Sequence, residues 1–146
     1  MVPIAGDLTG IYVLLVDDDD DALDIFGMYL RYAGAVVSTA RNGAEALARV
    51  EQTRAHVIVT DLTMPVMDGV EFVARLRESR GQDRAPTPVI AVTAFPKEYS
   101  PQRVTDAGFQ SYLVKPVDPE RVALEVRRIF ESTYGLEDYG GGRPRP

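Results

Sequence analysis

The chain of 146 residues contains no cysteine, no tryptophan and a single histidine, His56. The absence of cysteine excludes disulfides, thiolate nucleophiles and cysteine-ligated zinc or iron–sulfur centres. One histidine cannot build a His-rich metal site and disfavours a Ser/His/Asp triad. No apolar run approaches the ~20 residues of a membrane-spanning helix, and residues 1–10 lack the pattern of a secretory signal. We therefore expect a cytoplasmic protein.

Positive charge is also in short supply. The chain has 16 Lys and Arg residues against 22 Asp and Glu residues, which gives a net charge of −6. An acidic protein is a poor ligand for nucleic acid and for anionic lipid, so neither is expected as a partner. A chain of this length is expected to form one domain.

Apolar segments alternate with segments of helical periodicity along the chain. Five short apolar runs are interpreted as strands, at 11–16, 35–40, 57–60, 89–93 and 112–114. Helices are predicted at 22–32, after Asn42, at 70–80, at 100–107 and from 118 onward. Strict alternation predicts an α/β fold, a doubly wound five-stranded parallel sheet of (βα)5 type. Residues 1–9 are assigned as a lead-in, 10–131 as the domain, and the Gly/Pro-rich 132–146 as a disordered tail.

Polar side chains collect where the predicted strands end. Asp17–Asp21 follow the first strand, Asp61 the third, Thr93 ends the fourth, and Lys115 follows the fifth. Ligands of an open parallel sheet bind beyond the carboxyl ends of its strands. Crowded carboxylates suit Mg²⁺ or Mn²⁺, a lysine attracts an anion, and an aspartate can carry a phosphoryl group. The residues Asp19–Asp21 are equally well explained as helix caps and as acids that favour the helix dipole.

Four stretches together carry a family pattern. They are VLLVDDD at 13–19, VTDLTMPVMDG at 59–69, PVIAVTA at 88–94 and AGFQSYLVKP at 107–116. In order and spacing they resemble the receiver domain of two-component response regulators, over residues 10–131. The resemblance implies the flavodoxin-like fold of that family.

The resemblance also implies the acceptor and its metal site. Asp61 would be the phosphoacceptor. Mg²⁺, with Mn²⁺ as a substitute, would be held by Asp17, Asp18, Asp61 and the backbone carbonyl of Thr63. An Asp two residues after the acceptor would favour a Mg²⁺-dependent phosphatase with an aspartyl nucleophile, but Thr63 stands at that position.

Further roles follow from the same resemblance. Thr93, the Ala94 amide and Lys115 would bind the phosphoryl oxygens. Thr93 and Tyr112 would form the conformational switch. The bond between Lys115 and Pro116 is expected to be cis, which X-Pro bonds tolerate.

The partners implied are a histidine kinase or a histidine phosphotransfer protein as phosphoryl donor. An unknown downstream protein would bind the face formed by residues 100–130, and a homodimer formed on phosphorylation is a further candidate. We expect a phosphoacceptor and not an enzyme, with self-phosphorylation from small donors and slow autodephosphorylation. No output domain follows the last helix in this sequence, so both a freestanding regulator and the receiver part of a hybrid histidine kinase stay open.

Two expectations concern residues outside the motifs. His56 is predicted to be exposed at the start of the third strand, on the opposite edge of the sheet from the acids. Arg121, Arg127 and Arg128 on the last helix are predicted to form a basic docking patch.

Overall fold

A computed structural model describes residues 7–79 and 86–135, which form one parallel sheet with helices on both faces. The strands are β1 (Tyr12–Val16), β2 (Val36–Ala40), β3 (Val57–Asp61), β4 (Val89–Thr93) and β5 (Ser111–Val114). The helices are α1 (Asp20–Tyr32), α2 (Gly43–Thr53), α3 (Gly69–Ser79), α4 (Pro101–Asp106) and α5 (Pro119–Tyr134). The strand order is β2-β1-β3-β4-β5, so the predicted doubly wound α/β fold is confirmed.

The order of the strands decides where a ligand can bind. The chain moves outward from β1 to β2 and then returns past β1 to β3, so the winding direction reverses between β1 and β3. Ligand sites of doubly wound sheets lie at this reversal, beyond the carboxyl ends of the strands. We call this end of the sheet the carboxyl edge and the opposite end the amino edge. Val16 pairs with Thr60, which brings Asp17 and Asp61 together just beyond the pairing.

Two cores lie on the two faces of the sheet. Leu15 and Val59 point toward α1 and α5, whereas Leu14 and Ile58 point toward α2, α3 and α4. Strands covered on both faces need apolar side chains at every position, and this is why β1, β3 and β4 are nearly continuous apolar runs. All four of these residues are at most 4% exposed.

Most helices begin where capping side chains predict. Asn42 accepts a hydrogen bond from the Glu45 amide at 2.9 Å, and Ser100 accepts one from the Arg103 amide. α1 begins at Asp20, two residues before the predicted start, because Asp19 caps it by accepting the Asp21 amide at 3.0 Å. One of the consecutive aspartates is therefore a helix cap.

The predicted start of the tail at residue 132 is wrong, because α5 continues to Tyr134. The ring of Tyr134 packs 5.0 Å from that of Phe130, and its hydroxyl donates to the His56 carbonyl at 2.9 Å. This contact extends the helix past the last residue of its apolar stripe. The rest of the predicted tail, 136–146, lies outside the described residues, as do most of the loop predicted at 81–88 and residues 1–6 of the lead-in.

The described part of the lead-in is attached to the domain. Leu8 is fully buried, and its amide donates to the Ala33 carbonyl at 2.8 Å. Arg127 on α5 donates to the Asp7 carbonyl at 2.6 Å. Within the described ranges, no helix is both long and apolar enough to cross a bilayer.

Candidate functional site

Three carboxylates converge at the carboxyl edge. Asp17, Asp18 and Asp61 each place one oxygen within 4.8 Å of the oxygens of the other two. Asp17 and Asp61 are only 6% and 9% exposed, whereas Asp18 is exposed. The structure thus brings together the three acids that the sequence predicts as metal ligands, at the reversal point between β1 and β3.

Local backbone contacts hold the two buried acids in place. The Asp17 amide donates to the Ala40 carbonyl at 3.0 Å, and Asp17 Oδ1 accepts the Asp19 amide at 3.0 Å. Asp61 Oδ1 accepts the Leu62 amide at 2.8 Å and the Thr63 amide at 3.4 Å. Thr63 itself is exposed. Each carboxylate therefore keeps one oxygen bound to backbone and leaves the other directed at the site.

A glycine allows the loop after Asp61 to fold tightly. The Gly69 amide donates to the Leu62 carbonyl at 2.9 Å, and a Cβ on Gly69 would lie 2.5 Å from the Asp61 carbonyl oxygen. No side chain larger than hydrogen fits there without moving the backbone of the acceptor. The sequence pattern Asp68-Gly69 thus combines a cap for α3, through the Glu71 amide at 2.8 Å, with a close approach to Asp61.

Lys115 supplies positive charge beside the acids. Its Nζ lies 3.2 Å from Asp17 Oδ2 and 3.6 Å from Asp61 Oδ2. The Lys115 amide donates to the Thr93 carbonyl at 2.8 Å, which fixes the end of β5 beside β4, and the Lys115–Pro116 bond is cis. One ammonium thus faces two carboxylates and leaves net negative charge in the site.

Burial and charge perturb the titration of these groups. Burial, and next the charge of Asp17, raise the pKa of Asp61 to about 6 although Lys115 and the two backbone amides lower it. Burial alone would lower the pKa of Lys115, but the charges and hydrogen bonds of Asp61 and Asp17 raise it above its ordinary value. Perturbed groups of this kind are typical of functional sites.

Thr93 and Ala94 lie at the end of β4, beside these charges. Thr93 is fully buried, and its Oγ1 accepts the Phe95 amide at 2.9 Å, which leaves the hydroxyl proton able to donate. Ala94, the next residue along the chain, is exposed. Tyr112 on β5 is half-buried, and its hydroxyl donates to the Tyr99 carbonyl at 2.5 Å, which ties β5 to the connection between β4 and α4.

The arrangement is suited to holding a cation and an anion side by side. The converging acids offer only oxygen ligands, which hard divalent cations prefer. The Lys115 ammonium lies beside the acids and the Thr93 hydroxyl at the end of the next strand, and both groups can bind the oxygens of an anionic group. The chemistry favoured is therefore transfer of an oxyanion such as phosphoryl to a carboxylate.

Outside the site, the predicted exposure of His56 is wrong, whereas the basic docking patch stays a prediction. His56 does lie at the amino edge, but it is half-buried and not exposed, and burial lowers its pKa. The predicted basic patch carries compensating acids, because Arg121 and Arg128 pair with Glu125, and Arg127 pairs with Glu131.

Glu125 is a polar residue that the sequence analysis missed. It is 4% exposed, and it accepts a hydrogen bond from Ser111 Oγ on β5 as well as from the two arginines. Hydrogen bonds from Arg128 and from Ser111 lower its pKa to about 2, against the effect of burial. Its place three residues after Val122, on the apolar stripe of α5, was the available signal that it points inward.

Comparison with known proteins agrees with this architecture. The family model of the response regulator receiver domain matches residues 13–127. A 14.6 kDa protein from the sodA1 3′ region of Leptolyngbya boryana is 42% identical over 120 residues, 82% of this chain and 86% of that protein. The transcriptional regulatory protein ResD of Bacillus subtilis is 33% identical over 132 residues, 90% of this chain but only 53% of ResD. The chain thus spans about half the length of that regulator.

Solved structures are similar as well. The chemotaxis response regulator CheY4 of Vibrio cholerae superposes with a TM-score of 0.74 at 35% identity, covering 83% of this chain and 99% of CheY4. The receiver domain of the Francisella response regulator 1452 gives a TM-score of 0.77 at 27% identity, over 85% of this chain and 99% of that domain. Sheet order, the motifs around the acids and these matches agree that the chain belongs to the receiver domain family of two-component response regulators.

Proposed function

We propose that Asp61 accepts a phosphoryl group from a phosphohistidine on a histidine kinase or a histidine phosphotransfer protein. The observation that carries this proposal is the convergence of Asp17, Asp18 and Asp61, with Lys115 Nζ within 3.6 Å of two of them and the buried Thr93 at the end of the adjacent strand. The fold brings four segments, far apart in sequence, to one edge of the sheet to make this arrangement.

The carboxylate of Asp61 is the nucleophile. With a pKa of about 6 it is mostly ionised at pH 7, and burial strips it of the water that would weaken its attack. One of its oxygens forms a bond to phosphorus while the bond between phosphorus and the imidazole nitrogen breaks. The leaving nitrogen keeps the electron pair of the broken bond and takes a proton from solvent, which gives neutral histidine. Lys115 offsets the negative charge that the phosphoryl oxygens bring to the site.

The residues at the carboxyl edge fit a Mg²⁺ ion. Mg²⁺ would bind oxygen ligands at about 2.1 Å, so any two of its ligand oxygens would lie at most about 4.2 Å apart. The carboxylate oxygens of Asp17, Asp18 and Asp61 already lie within 4.8 Å of each other, so small side-chain movements suffice. These residues and the Thr63 carbonyl would hold Mg²⁺, or Mn²⁺ in its place. When bound, the cation neutralises the excess carboxylate charge and orients phosphoryl oxygens.

The remaining predicted site residues would bind the phosphoryl group and change conformation when it is present. Thr93, the Ala94 amide and Lys115 would bind phosphoryl oxygens. If the Thr93 hydroxyl turns toward them, its contact with the Phe95 amide is lost, and the connection between β4 and α4 must adjust. Tyr112 donates to that connection at the Tyr99 carbonyl, so it follows the change.

The altered face would be read by another protein. α4, β5 and α5 line the region 100–130, where Val114 and Leu124 are 43% and 39% exposed. We infer that a downstream protein binds there, and that a second copy of this chain is one occupant to test. Because Thr63 offers no second carboxylate after Asp61, phosphatase turnover is not favoured.

Intact-mass spectrometry with acetyl phosphate tests the acceptor. We expect one added phosphoryl group in the presence of Mg²⁺ and no adduct with EDTA or in Asp61→Asn. Asp68→Asn is the matched control, since Asp68 lies in the same loop and caps α3, a role that Asn can keep. An adduct that survives in Asp61→Asn, or that forms equally well without a divalent cation, would overturn the proposal.

A further inference from the structure

The only histidine of the chain sits in a ring of aromatic side chains at the amino edge. The rings of Tyr12, Phe130 and Tyr134 lie 5.5, 5.4 and 5.6 Å from that of His56, all close to perpendicular to it. We call these four residues the His56 cluster. It joins the first residue of β1, the residue before β3 and the last two turns of α5.

The backbone fixes the protonation state of His56. The Tyr12 amide donates to His56 Nδ1 at 2.9 Å, and the His56 amide donates to the Tyr12 carbonyl at 2.8 Å. An amide N–H can only donate, so Nδ1 must carry a lone pair and the ring must be neutral. A proton on Nδ1 would face the Tyr12 N–H, donor against donor, and would place a half-buried cation beside aromatic rings.

The contacts of the cluster extend to α5. Tyr134 donates its hydroxyl to the His56 carbonyl at 2.9 Å, and Phe130 is fully buried. A single imidazole therefore connects a strand end to a helix end.

No acid is placed to stabilise the protonated ring among the contacts that the structure describes. The titratable groups that face it are the two phenols, Tyr12 from β1 and Tyr134 from α5. The charged side chains of the neighbouring turn of α5, Arg127 and Glu131, pair with each other at 2.5 Å. Arg54, in the connection that leads to His56, is exposed and of the same sign as a protonated imidazole.

We propose that the His56 cluster is a proton-sensitive clamp, which holds the start of β1 against the end of α5 and is released when His56 takes up a proton. Burial lowers the pKa of His56 below its ordinary value of 6.5, in agreement with this geometry. The unfolded chain then binds a proton at a higher pH than the folded chain does. The contribution of the His56 cluster to the free energy of unfolding is therefore fully present above pH 6.5 and falls as the pH drops below that value.

The test measures thermal unfolding at pH 7.5 and pH 5.5. All proteins carry Asp61→Asn, because Asp61 titrates in the same range, and no Mg²⁺ or phosphoryl donor is present. We expect Tm to fall by a few degrees at pH 5.5 with His56 in place. His56→Asn should remove this fall, because its Oδ1 can accept the Tyr12 amide but takes no proton.

An NMR titration gives a second test, which does not depend on the folding of His56→Asn. The ring protons of His56 in the Asp61→Asn protein should titrate by NMR below pH 6.5, and the Tyr12 amide signal should shift with the same midpoint. An imidazole that titrates at or above 6.5, or a fall in Tm that persists in His56→Asn, would overturn the clamp. Neither experiment involves phosphorylation, so the result is independent of the proposed function.

Discussion

At its carboxyl edge the sheet buries two carboxylates, Asp17 and Asp61, beside one ammonium, whereas at its amino edge it holds the half-buried, neutral imidazole of His56. At the carboxyl edge the two carboxylates outnumber the one ammonium, and each carboxylate directs one oxygen at an open site. At the amino edge, Nδ1 and the backbone amide and carbonyl of His56 are hydrogen-bonded within the protein. The acids at the carboxyl edge therefore carry negative charge that one lysine does not fully compensate, whereas the His56 cluster at the amino edge is neutral.

The two edges should respond to acid with opposite signs. At the carboxyl edge burial, and next the charge of Asp17, raise the pKa of Asp61, so protonation at low pH removes the cost of the buried charge and increases stability. At the amino edge the pKa of His56 is lowered, so low pH decreases stability. The buried charge of Asp61 therefore costs stability at the edge where we propose that phosphoryl transfer takes place.

The largest effect is expected from adding a methyl group to a crowded glycine at each edge. A Cβ would lie 2.5 Å from the Asp61 carbonyl in Gly69→Ala and 2.7 Å from Thr9 Oγ1 in Gly34→Ala, where φ is also +110°. Both changes should lower the free energy of unfolding by roughly 2–3 kcal/mol, measured by urea denaturation. Only Gly69→Ala should also slow labelling by acetyl phosphate, because it displaces Asp61. Equal labelling of the two variants would show that the backbone contact does not position the acceptor.

Removal of the charge on Asp61 comes next in size. Without Mg²⁺ at pH 7.5, Asp61→Asn should raise the free energy of unfolding by roughly 1–3 kcal/mol, since the shift from 3.8 to about 6 is a folding penalty. The gain should fall by about half at pH 5, because the folded wild-type protein is then largely protonated. His56 is present in both proteins, so its titration cancels in the difference. A gain that does not change with pH would mean that the buried charge of Asp61 is not its source.

The sequence predicts the carboxyl edge better than the amino edge, for a physical reason. Asp61 and Lys115 follow apolar strands, and the topology of a parallel sheet forces the ends of those strands together. The surroundings of His56 depend on where the last turns of α5 lie across the sheet, which no local pattern records. Glu125 shows the same limit, since its inward direction follows from helical spacing but its partner on β5 does not.

Loss of one tyrosine hydroxyl at each edge should have a smaller effect. Tyr112→Phe removes the bond to the Tyr99 carbonyl, and Tyr134→Phe removes the bond to the His56 carbonyl. Each variant should lose roughly 0.5–1.5 kcal/mol of unfolding free energy in urea titrations.

Phosphorylation should tell these two variants apart. If Tyr112 follows the movement of Thr93, Tyr112→Phe should alter the chemical-shift changes that acetyl phosphate causes in α4 and β5, while Tyr134→Phe should leave them as in wild type. Identical phosphorylation-dependent shifts in both variants would argue that the Tyr112 hydroxyl has no part in the relay.

The smallest effect concerns two strained residues, one near each edge. Val66, in the loop after Asp61, has φ +70°, and Arg54, at the end of α2, has φ +50°. Asn tolerates this left-handed region better than either residue, and a β-branched side chain tolerates it worst. Val66 is 82% exposed, so its replacement sacrifices little packing. Val66→Asn should therefore raise the free energy of unfolding by about 0.5–1 kcal/mol, and Arg54→Asn by less.

The rates of labelling by acetyl phosphate show whether the strain at Val66 affects the acceptor. If the strain at Val66 helps to hold the loop that orients Asp61, Val66→Asn should gain stability and lose rate with acetyl phosphate, whereas Arg54→Asn should keep the wild-type rate. Stabilisation of Val66→Asn without any loss of rate would instead show that the strain is incidental to the acceptor. The destabilisation at the carboxyl edge that serves the acceptor would then come from its buried charges alone. The backbone strain at Val66 would have no more influence on labelling than the strain at Arg54.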